Sequence, residues 1–228
     1  MAKPPPSYPV PAVRPVPPAV VAERLVGDLV QKGSETWVRR LAEEPARFAD
    51  WPEGLDARLT AALAQRCIAR PYTHQARAIA AALAGRNTVV VTPTASGKTL
   101  CYNVPVLDRV LKDRSARALY LFPTAILPHH TKWVQLFESL EFVVIDELHT
   151  YRGVFGSHVA NVIRRLRRIC QFYGSDPAFI LCSATIANPG ELAERLIGDA
   201  VEVIDENGAP RGERIVVVHN PPVVNREL

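Results

Sequence analysis

Cysteine is scarce in the 228-residue chain. The four residues, Cys67, Cys101, Cys170 and Cys182, form no C-x-x-C pair. That spacing argues against both a disulfide framework and a zinc site. All four fall in apolar stretches, which predicts buried, reduced thiols. Long apolar runs are lacking too. None approaches the ~20 residues needed to cross a bilayer, and the N-terminus has no apolar signal core. The expectation is a soluble, cytoplasmic protein without a membrane partner. Neither sign of charge dominates: 27 Lys and Arg against 23 Asp and Glu leave +4, with a pI near 9.0. That mild excess permits a nucleic-acid partner without requiring one. No internal repeat is visible. A hydrophobic content of 48% supports a real core, and the length fits one large domain or two small ones.

What the chain does have is a run of three β-branched apolar residues, Val89 to Val91, entering Thr92-Pro-Thr-Ala-Ser-Gly-Lys-Thr99 and then Leu100. This reads as a buried strand, a tight loop of small residues and the start of a helix. Backbone N–H groups in such a loop can cradle a phosphate chain, and small side chains let the backbone approach. Thr94, Ala95, Ser96, Gly97, Lys98 and Thr99 are the candidate nucleotide ligands. Lys98 would reach the β- and γ-phosphates, and Thr99 would place its hydroxyl on Mg²⁺. The usual pattern begins with Gly, where Thr92 stands here. The alternative is a Ser/Thr/Gly-rich surface turn.

Eight of the 20 prolines lie in residues 1–18, which predicts an extended, disordered tail. Residues 19–70 read as a helical extension, with Val21, Leu25, Leu29 and Val30 on one helix and Leu55, Leu59 and Leu63 on another. An Ala-rich helix that Gly85 can end follows Tyr72-Thr-His-Gln75. After Lys98, Leu100, Val104, Leu107 and Leu111 are expected to face inward. Residues 118–122, 142–145 and 178–181 read as further strands, with helices over 131–140, 157–173 and 190–197. Residues 201–204 and 215–218 are expected to pair as a hairpin around Asn207-Gly208. Strands alternating with helices predict an α/β fold with a mainly parallel sheet covered on both faces.

In such sheets ligands gather at the carboxyl ends of the strands. Asp146-Glu147 follows one strand and Ser183-Ala-Thr185 another. Asp146 could hold Mg²⁺, and Glu147 could take the proton from an attacking water. The pair could instead cap the next helix. Arg164, Arg165, Arg167 and Arg168 read as a solvated face of a long helix, with a DNA contact as the alternative.

Taken in order, Thr92 to Thr99, Asp146-Glu-Leu-His149 and Ser183-Ala-Thr185 resemble motifs I, II and III of superfamily 2 DEXH-box helicases. Gln75 resembles the adenine-reading glutamine upstream of motif I, and Phe122-Pro-Thr124 the opening of motif Ia. The text around Thr150-Tyr-Arg-Gly-Val-Phe-Gly-Ser-His158 is similar to bacterial DEXH DNA helicases of the mitomycin-repair type, over about residues 35–226. The resemblance implies a P-loop, RecA-like domain at 71–220 that uses ATP and Mg²⁺ and has DNA as partner, with RNA as the alternative. It also implies that Gln75 binds adenine, with Tyr72 near it. His149, Ser183 and Thr185 would couple hydrolysis to the grip on nucleic acid. For His149 a capping or core role stays open, and for Ser183 and Thr185 ordinary turn chemistry.

The chain departs from that pattern in two ways. Asp146 follows Lys98 by only 48 positions, an interval that is longer in the family and holds motif Ib, so a gap is expected near 124–126. Residues 221–228 read as the start of a linker to a second RecA-like domain, absent from these residues. The first reading is therefore an ATP-dependent DNA helicase domain. The rivals are a non-catalytic ATP-binding remnant or interaction module, and a P-loop NTPase working without nucleic acid.

Overall fold

The computed structural model describes residues 18–31, 36–120 and 127–220. In chain order its elements are α1 (Pro18–Gln31), β1 (Thr36–Leu41), α2 (Ala57–Gln65), α3 (Thr73–Leu83), β2 (Thr88–Val91), α4 (Thr99–Lys112) and β3 (Arg117–Tyr120). Then come α5 (Val134–Glu138), β4 (Leu140–Ile145), α6 (Gly153–Tyr173), β5 (Ala178–Ser183), α7 (Pro189–Ile197), β6 (Glu202–Ile204) and β7 (Arg214–His219). They fall into two units, Met1–Glu44 with Arg211–Leu228, and Pro45–Pro210. The predicted tail lies almost wholly outside the described residues. So do Phe122-Pro-Thr124, the position of the expected gap, and 221–228.

In the larger unit the apolar runs become a five-stranded parallel sheet in the order β3-β4-β5-β2-β6. Side chains alternate across it with a period of two. Val89, Val91, Val143, Ile145, Phe179 and Leu181 meet Ile163 and Leu166 of α6 and Leu196 of α7 on one face. Val90, Val144, Ile180 and Cys182 meet Ala78 and Ala82 of α3 and Cys101 and Val106 of α4 on the other. Both faces are covered, which is why the strands read as continuous apolar runs rather than alternating ones. Helix α2 extends the second layer: Leu59 and Leu63 pack with Ile79 and Val104. Its N-terminus is tied to α4 by a buried carboxylate, since Asp108 accepts from the Asp56 N–H at 2.8 Å and from Lys112 Nζ at 2.6 Å.

The smaller unit is a two-stranded antiparallel sheet. β1 pairs with β7 from Thr36↔His219 to Leu41↔Arg214. Reciprocal backbone bonds between Glu44 and Arg211, 2.8 and 2.9 Å, continue it. Arg40 binds Glu23 of α1 at 3.0 Å.

Four expectations are corrected. The stretch read as a helical extension contains a strand, β1. The hairpin around Asn207-Gly208 does not form: β6 pairs in parallel with β2, and β7 pairs with β1. On α4 the inward residues include Cys101, Tyr102, Val104 and Val106, while Leu107 and Leu111 face out. That helix lies between the sheet and α2, so it buries a broad face where a single stripe was expected. Cys67 is exposed, with the other three thiols buried. Burial pushes the Cys101 thiol up to about 12 and the Cys182 thiol well above its ordinary value, so both stay protonated and unreactive.

Candidate functional site

Three polar segments leave the carboxyl ends of three adjacent strands. The small-residue loop follows β2, Ser183 ends β5, and Asp146-Glu147 follows β4, with β5 lying between the other two. The parallel arrangement puts all three at one edge of the sheet, where such folds bind ligands.

The loop is a tight turn that runs straight into α4. Ala95 and Gly97 take φ values of 65° and 80°. Thr92 and Ser96 are buried, and their hydroxyls share a 2.6 Å bond. Lys98 Nζ donates to the carbonyls of Thr92 (2.9 Å) and Pro93 (3.1 Å). The ammonium thus lies folded over its own loop, and a phosphate would compete with these carbonyls for it. The Leu100 N–H reaches the Gly97 carbonyl at 3.1 Å, so the helix begins inside the loop and directs its N-terminus at the site. Thr94, Ala95 and Thr99 are exposed, and Gly97 and Lys98 are half-buried.

Asp146 and Glu147 are exposed at the end of β4. One Asp146 oxygen accepts the Glu147 N–H at 2.8 Å, and the other accepts from Tyr102 Oη at 3.3 Å. Tyr102 sits on α4 one turn after Thr99. It therefore ties the helix that follows the loop to the acidic pair, a link that sequence reasoning missed although its i+3 spacing from Thr99 was legible. Glu147 holds a left-handed backbone, φ 53° and ψ 43°. For a non-glycine residue that conformation costs on the order of 1–3 kcal/mol and concentrates at functional sites. Ala95, at the facing loop, is a second such residue.

His149 bridges the clusters. Its Nδ1 lies 3.4 Å from Glu147 Oε2 and 3.4 Å from Ser183 Oγ. The second and third motifs are thus joined through one ring, while Thr185 points into solvent. A single carboxylate and a threonine hydroxyl fit Mg²⁺ better than a transition metal, because Mg²⁺ takes few protein ligands and completes its shell from phosphates and water.

Gln75 is buried at the start of α3. Its Oε1 accepts the Tyr72 N–H at 2.8 Å and its Nε2 donates to the Gly97 carbonyl at 3.0 Å. Each end of the amide retains one further hydrogen-bonding position. Tyr72 stacks with His74, centroids 6.0 Å apart, and meets Phe48 at 5.2 Å. Arg164, Arg165 and Arg168 are exposed, whereas Arg167 binds Asp199 at 2.8 Å and the Ile197 carbonyl at 3.0 Å. That run is therefore split between solvent and a structural tie.

The DEAD/DEAH box helicase family matches residues 72–132 and 126–192, together more than half the chain. The chain is 48% identical to an uncharacterized ATP-dependent helicase, YprA, of Bacillus subtilis, over 90% of this chain and 35% of that protein. It is 33% identical to the ATP-dependent helicase HRQ1 of Saccharomyces cerevisiae, over 67% of this chain and 20% of that one. Among solved structures, the DUF1998 helicase MrfA bound to DNA and AMPPNP superposes with a TM-score of 0.83 at 46% identity. That match covers 90% of this chain and 36% of MrfA. The chain therefore spans about a third of the length of YprA and MrfA.

Proposed function

Because the chain belongs to the DEAD/DEAH box helicases, we propose that its larger unit binds Mg-ATP at the β2 loop and hydrolyses it as one half of a DNA-translocating motor. The observation that carries this reading is the convergence of the loop, Asp146-Glu147 and Ser183 on three neighbouring strand ends. Lys98 turns from its loop carbonyls to the β- and γ-phosphates. Thr99 and Asp146 would hold Mg²⁺, which would supply charge neutralisation on the phosphates. Tyr102 fixes the Asp146 carboxylate. Glu147 orients a water and takes its proton. His149 and Ser183 report the state of that carboxylate to the nucleic-acid side, with Thr185 beside them. A second RecA-like domain completes the site with a cation across the nucleotide. DNA is the partner in this reading, DNA repair the process and the cytoplasm the compartment.

Gln75 reads adenine through the hydrogen-bonding positions its internal contacts leave free. Gln75→Ala is expected to shrink the preference for ATP over GTP by about three- to tenfold, the loss of one hydrogen bond. Competition of the two nucleotides for a labelled analogue measures it. Equal affinities in the wild type would remove this role.

A second reading, an ATP-binding remnant, is favoured by the short interval before Asp146. The family matches in two overlapping pieces that meet at 126–132. The likeness to YprA runs over 261 residues, more than this chain contains, while covering 90% of it. Both support a gap near 124–126, where motif Ib would lie. A polypeptide of these 228 residues is accordingly expected to turn ATP over slowly, with little stimulation by single-stranded DNA and no displacement of a 3′-tailed duplex. Displacement that Glu147→Gln abolishes would instead place a working motor in these residues.

A further inference from the structure

Two successive residues of α3 hold two successive carbonyls of the β2 loop. Gln75 Nε2 donates to the Gly97 carbonyl, and His74 Nε2 lies 3.2 Å from the Ser96 carbonyl. The His74 ring is only 1% exposed. Its other nitrogen, Nδ1, accepts the Gly208 N–H at 3.1 Å. A backbone N–H can only donate, so Nδ1 carries no proton and the proton sits on Nε2, aimed at Ser96. Burial, with Lys98 nearby, holds the imidazole below its ordinary value and keeps it neutral.

The residue that sets this tautomer is itself fixed. The Arg47 N–H donates to the Gly208 carbonyl at 2.8 Å, and Arg47 Nη2 donates to the Asn207 carbonyl at 2.8 Å. The Asn207 side chain closes the turn on both backbone groups of Ala209, each at 3.1 Å. A Cβ at position 208 would collide with Thr73 Oγ1 and press on the backbone of Thr73 and Arg47. Only glycine lets the turn come this close to α3.

We propose that His74 is a positioning residue that orients the phosphate-facing N–H groups of the loop. In a trans peptide the C=O and the following N–H point in opposite directions. Tying the Ser96 carbonyl to α3 therefore turns the Gly97 N–H to the other side of the loop. Gln75 does the same for Gly97 and the Lys98 N–H. The turn at Asn207-Gly208, distant in sequence, thus sets the direction of loop N–H groups through one neutral ring. The inference rests on reading 92–99 as a phosphate loop.

Two isosteres separate the two bonds of the ring. His74→Gln places an N–H where Nε2 was and keeps the Ser96 tie. His74→Asn places an acceptor where Nδ1 was and keeps the Gly208 tie. Amide exchange of residues 94–98, measured without nucleotide, should stay near wild type in His74→Gln and quicken in His74→Asn. ATP-analogue affinity should fall about three- to tenfold in His74→Asn and by less than about twofold in His74→Gln. Equal behaviour of the two variants, or a wild-type loop in His74→Asn, would overturn the proposal. In the wild type, ¹⁵N shifts of the ring should show the Nε2–H tautomer, and the Nδ1–H tautomer would overturn the proposal without any variant. Failure of the wild type to bind nucleotide would sink the phosphate-loop reading, while the loop exchange and the tautomer still decide the role of His74.

Discussion

Glu147→Gln is expected to lower ATP turnover by about 10²–10⁴-fold, the usual worth of a positioned general base. Affinity for an ATP analogue should barely change. The side chain is exposed at the end of β4 and its carboxylate lies 3.4 Å from His149 Nδ1, away from the loop's own hydrogen bonds. Glutamine keeps its length and one oxygen but cannot take a proton. The left-handed backbone at 147 depends on main-chain bonds, including those its carbonyl accepts from the Thr150 N–H and Oγ1 at 2.9 Å. The substitution leaves these in place, so the strand end should keep its shape. Turnover with affinity unchanged therefore isolates the proton transfer. Comparable rates in the two proteins would mean that the base lies elsewhere.

The end of the sheet that carries the three polar segments was legible because its signals are local. Val89-Val90-Val91 is short, β-branched and followed by small residues. That combination leaves few options besides a buried strand entering a tight turn, and β2 forms there. Asp146-Glu147 stands out because two carboxylates end an otherwise apolar run. The resemblance to helicase motifs gives a role to His149, which by itself reads as a capping or core histidine; its Nδ1 lies 3.4 Å from Ser183 Oγ.

The misses share a cause: the deciding contact was distant in sequence. Asn207-Gly208 carries the signature of a hairpin turn. The glycine instead serves a close approach to Thr73, and the Asn207 side chain bonds the backbone of Ala209, two residues on. β6 then joins β2, whose Thr88↔Glu202 pairing no local pattern announces. Thr36-Trp-Val-Arg-Arg-Leu41 does not announce itself as a strand because its partner, β7, lies more than 170 positions away. On α4, Leu107 and Leu111 fit a helical stripe, but the sheet selects the neighbouring face with Cys101 and Val106. His74 carries no signal in the sequence, because a lone histidine before a glutamine has no pattern. Its meaning comes from Ser96 on one side and Gly208 on the other.

The measurement closest to the heart of the matter is a titration of a labelled ATP analogue, with Mg²⁺, into the wild type and Lys98→Ala. Lys98 is the one loop side chain whose charge can balance the γ-phosphate. Its present bonds are to the carbonyls of Thr92 and Pro93, and alanine removes them without burying a new group. A charge-assisted hydrogen bond is worth about 1.5–3 kcal/mol, so affinity should fall roughly 10- to 150-fold. Thermal unfolding should confirm that both proteins fold. Saturable, Mg²⁺-dependent binding to the wild type, weakened to that degree in Lys98→Ala, is the expected result. Identical titration curves for the two proteins would contradict the assignment of this loop as the nucleotide site.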